Sequence, residues 1–191
     1  MELDKNINYI VSGLERSGTS MLMQILRTGG IPTSFDDSRP ADINNPKGYY
    51  ELEGGKIINK LIDGSFPLDA YKGKFVKITA YGLKYLPPGK YKIIYSDRNI
   101  EEILDSMEKM IGKKDSSREE TKMSFIKLNN MIKQYIQERD DMDVLLINYN
   151  NILSEPKNNL TKIVDFLKAS SDILDKMIDA VDNKLYRQRR T

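Results

Sequence analysis

The sequence contains neither cysteine nor histidine, and these two absences exclude several kinds of chemistry. Without cysteine the chain can form no disulfide, no thiolate nucleophile and no thiolate-ligated metal site. Without histidine it lacks the commonest general base and the commonest metal ligand. We therefore expect no metal to be required, and any catalysis must use carboxylates, lysine, arginine, tyrosine or hydroxyl groups. The absence of cysteine also agrees with a reducing compartment, and we predict a cytoplasmic protein.

An excess of charge of one sign is also lacking. The 30 Lys and Arg residues nearly balance the 28 Asp and Glu residues, which leaves a formal charge of +2. No overall positive field therefore indicates nucleic acid or an anionic membrane as a partner, and any anion site must be local. We recognise no signal peptide and no segment apolar enough to span a membrane. The length of 191 residues, 39% of them hydrophobic, suits one domain over residues 1–191, while the oligomeric state stays open.

Short apolar runs alternate with helical patterns along the chain. Strand-like runs lie at residues 7–12, 74–78, 91–95 and 143–148, and helical periodicity is clearest at 19–27, 100–110, 119–139, 156–168 and 171–181. This alternation predicts an α/β fold of three layers, with a mainly parallel central sheet of about five strands and helices on both faces. Ligands of such sheets bind at the carboxyl ends of the strands, so the loops after Ser12, Ile78, Ser96 and Asn148 should surround the site.

The segment from Gly13 to Ser20 reads as glycine, four residues, glycine, threonine and serine between the first strand and the first helix. Its glycines allow positive φ angles, so backbone N–H groups can point inward at a phosphate, assisted by the positive end of the helix dipole. Thr19 stands where nucleoside triphosphatases carry a lysine, and Arg16 is the replacement cation. An ordinary turn before a helix capped by Ser17 or Thr19 is the alternative.

A second motif places Arg98 at the end of a predicted strand and Ser106 eight residues later on the following helix. An arginine and a hydroxyl in this arrangement can both donate to one phosphate, and arginine can do so with two N–H groups. Alternatively, Arg98 pairs with Asp97 or Glu101 and Ser106 is a solvated helix residue. Two such motifs in this order fit a nucleotide with separate 5′ and 3′ anions better than they fit ATP.

These two motifs resemble the nucleotide-binding motifs of the sulfotransferases that use 3′-phosphoadenosine 5′-phosphosulfate (PAPS), and the resemblance extends from Tyr9 to about Arg190. It implies a P-loop-like fold, PAPS as co-substrate and adenosine 3′,5′-bisphosphate (PAP) as product. It also implies site residues: Arg16 and the backbone of residues 17–20 at the 5′-phosphosulfate, that is Ser17, Gly18, Thr19 and Ser20, with Arg98 and Ser106 at the 3′-phosphate.

The C-terminal residues Arg187 and Arg189 resemble part of the basic segment that some family members fold over the nucleotide. A frayed basic tail is the equally acceptable alternative.

The stretch from Asn44 to Glu51 resembles a segment of small bacterial sulfotransferases, and it makes Glu51 the first candidate for the general base, ahead of Asp42, Glu53 and Glu15. Glu51 and Glu53 also open an apparent helix, where negative charge is favourable without any catalytic role. Lys77, near the end of its strand, would supply a second positive charge to the transferring group. Alternatively it extends to solvent at the sheet edge.

The resemblance therefore implies transfer of a sulfuryl group from PAPS to a hydroxyl or amine of a small-molecule, carbohydrate or lipid acceptor. Two alternatives stay open. Glu15 replaces the proline that usually stiffens the phosphosulfate loop, and histidine is missing, which would suit a catalytically weak nucleotide-binding protein of the same fold. The other alternative is a P-loop kinase-like enzyme, against which Thr19 argues.

Overall fold

A computed structural model describes residues 2–182, in which four parallel strands form one sheet. The strands are β1 (Asn8–Gly13), β2 (Phe75–Lys77), β3 (Tyr91–Asp97) and β4 (Met142–Asn148), in the spatial order β2-β1-β3-β4. All pairs are parallel, with Gly13 beside Ser96 and Asp97 beside Asn148. The α/β prediction is confirmed, and the four predicted strand regions are those observed.

The expected number of about five strands is wrong for this part of the chain. The segment after the first helix runs beside β2 for one residue only, where Thr33 forms an isolated parallel bridge with Phe75. The flanking hydrogen bonds join the amide of Phe75 to Pro32 and the amide of Ser34 to Phe75. Pro32 has no N–H to extend this ladder backward, and the Asp36 amide, which would extend it forward, donates to the Glu51 carbonyl instead, so no fifth strand forms here.

Seven α-helices accompany the sheet within residues 2–182. They are α1 (Thr19–Thr28), α2 (Ile57–Ile62), α3 (Ile100–Ile111), α4 (Arg118–Glu138), α5 (Tyr149–Ser154), α6 (Pro156–Leu167) and α7 (Leu174–Asp179). The helix predicted over 171–181 is a short 3-10 turn, Ser171–Ile173, followed by α7. The helix expected to open at Glu51 begins only at Ile57, because Gly54 and Gly55 have positive φ angles that an α-helix does not admit. No helix of the described residues is long and apolar enough to cross a membrane.

The helices cover both faces of the sheet because side chains alternate along each strand. Tyr9 and Val11 of β1 face a core formed with α1, α6 and α7, whereas Ile10 faces a second core formed with α2, α3 and α4. Ile93 and Ile94 of β3 alternate in the same way. The resulting three-layer arrangement fixes the carboxyl ends of the strands side by side, at the edge where the candidate site lies.

Candidate functional site

The loop between β1 and α1, residues 13–20, is packed so tightly that its two glycines have no room for a side chain. A Cβ atom on Gly13 would lie 2.4 Å from Ser17 Oγ and 2.5 Å from the carbonyl oxygen of Ser96. A Cβ atom on Gly18, whose φ is +98°, would lie 2.1 Å from Tyr149 Cδ2. The Ser96 hydroxyl donates to the Ser17 carbonyl at 2.7 Å, so the end of β3 supports this loop from below.

The loop presents unpaired backbone donors at the start of α1. The Ser17 amide donates to the Leu14 carbonyl at 3.1 Å, but the amides of Gly18, Thr19 and Ser20 have no acceptor within residues 2–182. Gly18 is the N-cap residue and no side chain caps the helix, so the alternative of a Ser17 or Thr19 cap is wrong. The Ser17 hydroxyl is buried without a hydrogen-bond partner among these residues. Such a helix start attracts an anion through its N–H groups and its dipole.

Arg16 connects this loop to the second motif. Its Nε donates to Ser106 Oγ at 2.9 Å, and its carbonyl oxygen accepts a hydrogen bond from Arg98 Nη1 at 2.9 Å. Arg16 has a φ of +65°, which is uncommon for a residue with a side chain and directs the carbonyl toward Arg98. Burial lowers the pKa of Arg16 below its usual range, and the nearby Arg98 acts in the same direction. The two predicted motifs therefore contact one another directly.

Arg98 is fixed by a partner that the sequence prediction did not identify. Its Nε pairs with Glu102 Oε2 at 3.1 Å, and its guanidinium lies 4.5 Å from the centre of the Tyr149 ring. Glu102 is one helical turn after Arg98 and is only 1% exposed, so the predicted alternatives Asp97 and Glu101 are both wrong. Ser106 is 8% exposed, which also excludes a solvated helix residue.

Lys77 and Glu51 form a buried ion pair beside the loop. Lys77 Nζ lies 2.8 Å from Glu51 Oε1 and donates to Ser20 Oγ at 3.1 Å and to the Tyr49 carbonyl. Lys77 is 6% exposed and does not extend to solvent, so that alternative is wrong. Burial lowers the pKa of Lys77, although its pairing with Glu51 opposes this shift. All three hydrogens of the ammonium group have an acceptor here, which fixes Glu51 next to the loop.

Arg39 is a site residue that the sequence analysis missed. Its Nη1 lies 3.1 Å from Glu51 Oε2, and its guanidinium lies 3.5 Å from the centre of the Tyr49 ring. The Tyr49 hydroxyl donates to the Asp42 carboxylate at 2.8 Å. Both oxygens of Glu51 therefore contact a cation, one from β2 and one from the loop that precedes Glu51. No motif singled out Arg39, because its partner lies twelve residues away across an irregular loop.

The three carboxylates ranked behind Glu51 as candidates for the general base have other contacts or lie in exposed positions. Glu53 pairs with Lys60 at 2.7 Å, and Asp42 accepts from the Tyr49 hydroxyl. Glu15 lines the cavity, but its side chain is exposed and has no ion-pair partner within residues 2–182.

One cavity of about 400 Å³ collects the predicted residues. Of the predicted set, the lining includes Arg16, Gly18, Thr19, Ser20, Glu51, Lys77, Arg98 and Ser106. Ser17 belongs to the same loop, but it is buried and does not line the cavity. Arg187 and Arg189 lie outside the described residues.

A sequence model of the sulfotransferase domain family matches residues 6–190, and the chain belongs to this family. The match confirms the resemblance inferred from the two motifs. No curated protein matches the sequence significantly.

Solved sulfotransferase structures share the fold. A retinol dehydratase in complex with androsterone and PAP has a TM-score of 0.59 and 16% identity, and the alignment covers 97% of this chain and 66% of that one. A mouse sulfotransferase in complex with PAP has a TM-score of 0.54 and 13% identity, and the alignment covers 100% of this chain and 68% of the mouse protein. The sulfotransferase domain of the Synechococcus PCC 7002 olefin synthase has a TM-score of 0.55 and 15% identity, and the alignment covers 98% of this chain and 84% of that domain. The chain thus spans slightly less than two thirds of the length of the retinol dehydratase.

Proposed function

We propose that the protein is a sulfotransferase that moves a sulfuryl group from PAPS to a hydroxyl or amine of an acceptor. The observation that carries this proposal is the direct contact between the two anion-binding motifs, in which Arg16 bonds to Ser106 and Arg98 bonds to Arg16. Two phosphate-binding groups on one cavity match a nucleotide with anions at its 5′ and 3′ positions. We include in the proposal a cytoplasmic location, which cell fractionation would test.

The residues present suit such a nucleotide. The unpaired amides of residues 18–20 and the Arg16 side chain would hold the 5′-phosphosulfate, and Thr19 also lines the cavity. Ser106 and Arg98 would hold the 3′-phosphate, with Tyr149 and Glu102 fixing the Arg98 guanidinium. Bound PAPS supplies the activated sulfuryl group. The cationic lining provides the preorganised charge stabilisation that transfer of such a group needs.

Glu51 and Lys77 would act on the acceptor side of the reaction. Glu51 accepts the proton of the acceptor hydroxyl as the new sulfur–oxygen bond forms and the bond to the phosphate oxygen breaks, which releases PAP. Both carboxylate oxygens contact a cation in the structure, so the acceptor hydroxyl would donate to a lone pair that these contacts leave open. Lys77 holds the carboxylate against Ser20 and stabilises charge near the transferring group.

The double pairing of Glu51 also favours a second candidate function, a nucleotide-binding protein of this fold that transfers nothing. A carboxylate held by two cations is less accessible to an acceptor hydroxyl. Transfer and simple binding are distinguished by experiment.

Thermal stability with added nucleotides tests the nucleotide site. A ligand that binds only the folded protein at a hundred times its dissociation constant adds about 2.7 kcal/mol of stability. We expect PAP to raise the melting temperature and AMP and ADP to have little effect, and Arg16→Ala should abolish the PAP shift. Arg27→Ala, an exposed arginine at the end of α1, is the control. Stabilisation by magnesium-ATP in place of PAP would support a kinase-like enzyme.

Transfer of ³⁵S from labelled PAPS then distinguishes enzyme from binder. We expect Glu51→Gln to reduce turnover by about 10²–10⁴-fold, the usual contribution of a general base, with the PAP shift preserved. Full turnover in Glu51→Gln would remove Glu51 from the mechanism. PAP binding without transfer to any acceptor would favour the second function.

A further inference from the structure

Many of the side chains that line the cavity together with Glu51 are polar. Five side chains there have no hydrogen-bond partner within residues 2–182 although they line the cavity: Gln24, Asn44, Asn45, Lys56 and Thr79. They come from α1, from the loop before Glu51, from the turn after it and from the end of β2. Between them they offer amide, ammonium and hydroxyl groups, so the wall presents both donors and acceptors to whatever occupies it.

Large aliphatic side chains are absent from the described lining of the cavity. No leucine, isoleucine, valine or phenylalanine lines it among the described residues, and its apolar members are Met21, Pro46, Met110 and Ala180. Most small-molecule cavities are instead lined mainly by hydrophobic and aromatic side chains. An apolar ring bound here would leave the polar groups that it covers without partners, which is unfavourable.

The two tyrosines of the cavity do not compensate for this absence. The Tyr49 ring carries the Arg39 guanidinium at 3.5 Å, and the Tyr149 ring carries the Arg98 guanidinium at 4.5 Å. Tyr149 also packs against Gly18. Both rings thus already have a cation on one face, which makes them poor platforms for a phenol or a fused-ring alcohol.

The size of the cavity supports the same conclusion. Its volume of about 400 Å³ lies near the lower end of ligand cavities, which span about 300–1,000 Å³ and hold one drug-sized molecule. A nucleotide on the two phosphate-binding motifs would use much of that space. The acceptor must then lie toward the mouth, in contact with water, where a polar molecule loses less hydration than it would in a closed pocket.

We infer that the acceptor is a polyhydroxylated, carbohydrate-like molecule and not an apolar alcohol or phenol. This inference rests on the proposed function and names its substrate class. The polar side chains on the acceptor side bind the hydroxyl groups that do not react. One hydroxyl reaches Glu51, donates its proton to the carboxylate and receives the sulfuryl group from PAPS, and PAP leaves.

The experiment compares two classes of acceptor at equal concentration with ³⁵S-PAPS and the whole chain. The polyols are myo-inositol, N-acetylglucosamine, glucosamine and glucuronic acid, and the apolar acceptors are cyclohexanol and 2-naphthol. Inositol and cyclohexanol share a six-carbon ring and secondary hydroxyls, so they differ chiefly in polarity. We expect the best polyol to be sulfated at least ten times faster than either apolar acceptor. An apolar acceptor used as fast as the best polyol would overturn the inference.

Two substitutions test whether the polar wall is responsible. Asn45→Leu and Lys56→Leu should each raise the KM for the best polyol by about tenfold, the loss expected for a hydrogen bond to a neutral or charged group. The KM for PAPS should not change. Lys127→Leu, an exposed lysine of α4 outside the cavity, is the matched control. If the KM for the polyol were unchanged in both Asn45→Leu and Lys56→Leu, the proposed role of these side chains in binding the acceptor would be wrong.

Failure of the inference and failure of the proposed function give different results. If PAP stabilises the protein but no polyol is sulfated, the acceptor class is wrong while the nucleotide site stands. If PAP does not stabilise the protein, the proposed function itself fails, and the acceptor class fails with it.

Discussion

Substitution of Gly18 by alanine should damage both stability and nucleotide binding, and the structure allows the cost to be divided. The φ angle of +98° at Gly18 is unfavourable for alanine, by about 1–2 kcal/mol. The new Cβ would lie 2.1 Å from Tyr149 Cδ2, and relieving such overpacking typically costs about 1–3 kcal/mol. The total is about 2–5 kcal/mol, a large part of the stability of an average domain.

The clash also reaches the nucleotide site through a short series of contacts. Tyr149 must move to accommodate the methyl group, and the Arg98 guanidinium rests on its ring. Arg98 in turn donates to the Arg16 carbonyl. We therefore expect Gly18→Ala to weaken PAP binding as well as to lower the free energy of unfolding.

Urea denaturation and PAP thermal shifts measure the two effects. Gly30→Ala is the matched control, because Gly30 has a φ of +76° and a Cβ atom added there would have no neighbouring atom within 4 Å. Gly30→Ala should lower the free energy of unfolding only by the backbone cost of about 1–2 kcal/mol, and the variant should still bind PAP. In a Tyr149→Ala background, Gly18→Ala should also cost only about 1–2 kcal/mol, since the clash is gone. Additivity of the two substitutions within about 0.5 kcal/mol would refute the reasoning.

Three further predictions concern other parts of the site and the fold. Ser106→Ala should raise the dissociation constant of PAP by about tenfold or more in a titration, because it removes the hydrogen bond to the Arg16 side chain, whereas the exposed Ser124→Ala should not. Lys77→Met should cost several kcal/mol in urea denaturation, about 3–5 kcal/mol being usual for breaking a buried pair, and unchanged stability would show that Arg39 alone compensates Glu51. Arg139 lowers the pKa of Asp141 to about 2, so this carboxylate stabilises the fold fully above its usual pKa of 3.8, and the contribution disappears as the pH falls to about 2. Asp141→Asn should therefore lower stability at pH 7 and flatten its dependence on pH in this acid range, which denaturation at several pH values would check.

The two phosphate-binding motifs could be located from the sequence because their geometry is local. Glycines at positions 13 and 18 of a strand–loop–helix segment favour a loop that presents its amides. An arginine at the end of a strand and a hydroxyl on the next helix can share one phosphate, but the resemblance to a known family is what links Arg98 to Ser106. The alternation of strands and helices also determined the three-layer fold, since parallel strands require helical crossovers on both faces of the sheet. The prediction of Glu51 as the base rests on the resemblance of residues 44–51 to a segment of small bacterial sulfotransferases.

The partners of these residues were decided only by the tertiary structure. Arg98 could pair with any nearby carboxylate, and the helix geometry of α3 selected Glu102 one turn away over its neighbours in sequence. The contacts of Arg39 and Lys77 with Glu51 join segments twelve and twenty-six residues apart, through an irregular loop whose path no periodicity encodes. The missing fifth strand has a similar origin, because Pro32 on one side of the bridge and the bond from the Asp36 amide to the Glu51 carbonyl on the other limit the pairing beside β2 to one residue. Local patterns therefore predicted which groups would bind phosphate, whereas packing at the edge of the sheet determined how these groups are joined and which side chains line the cavity.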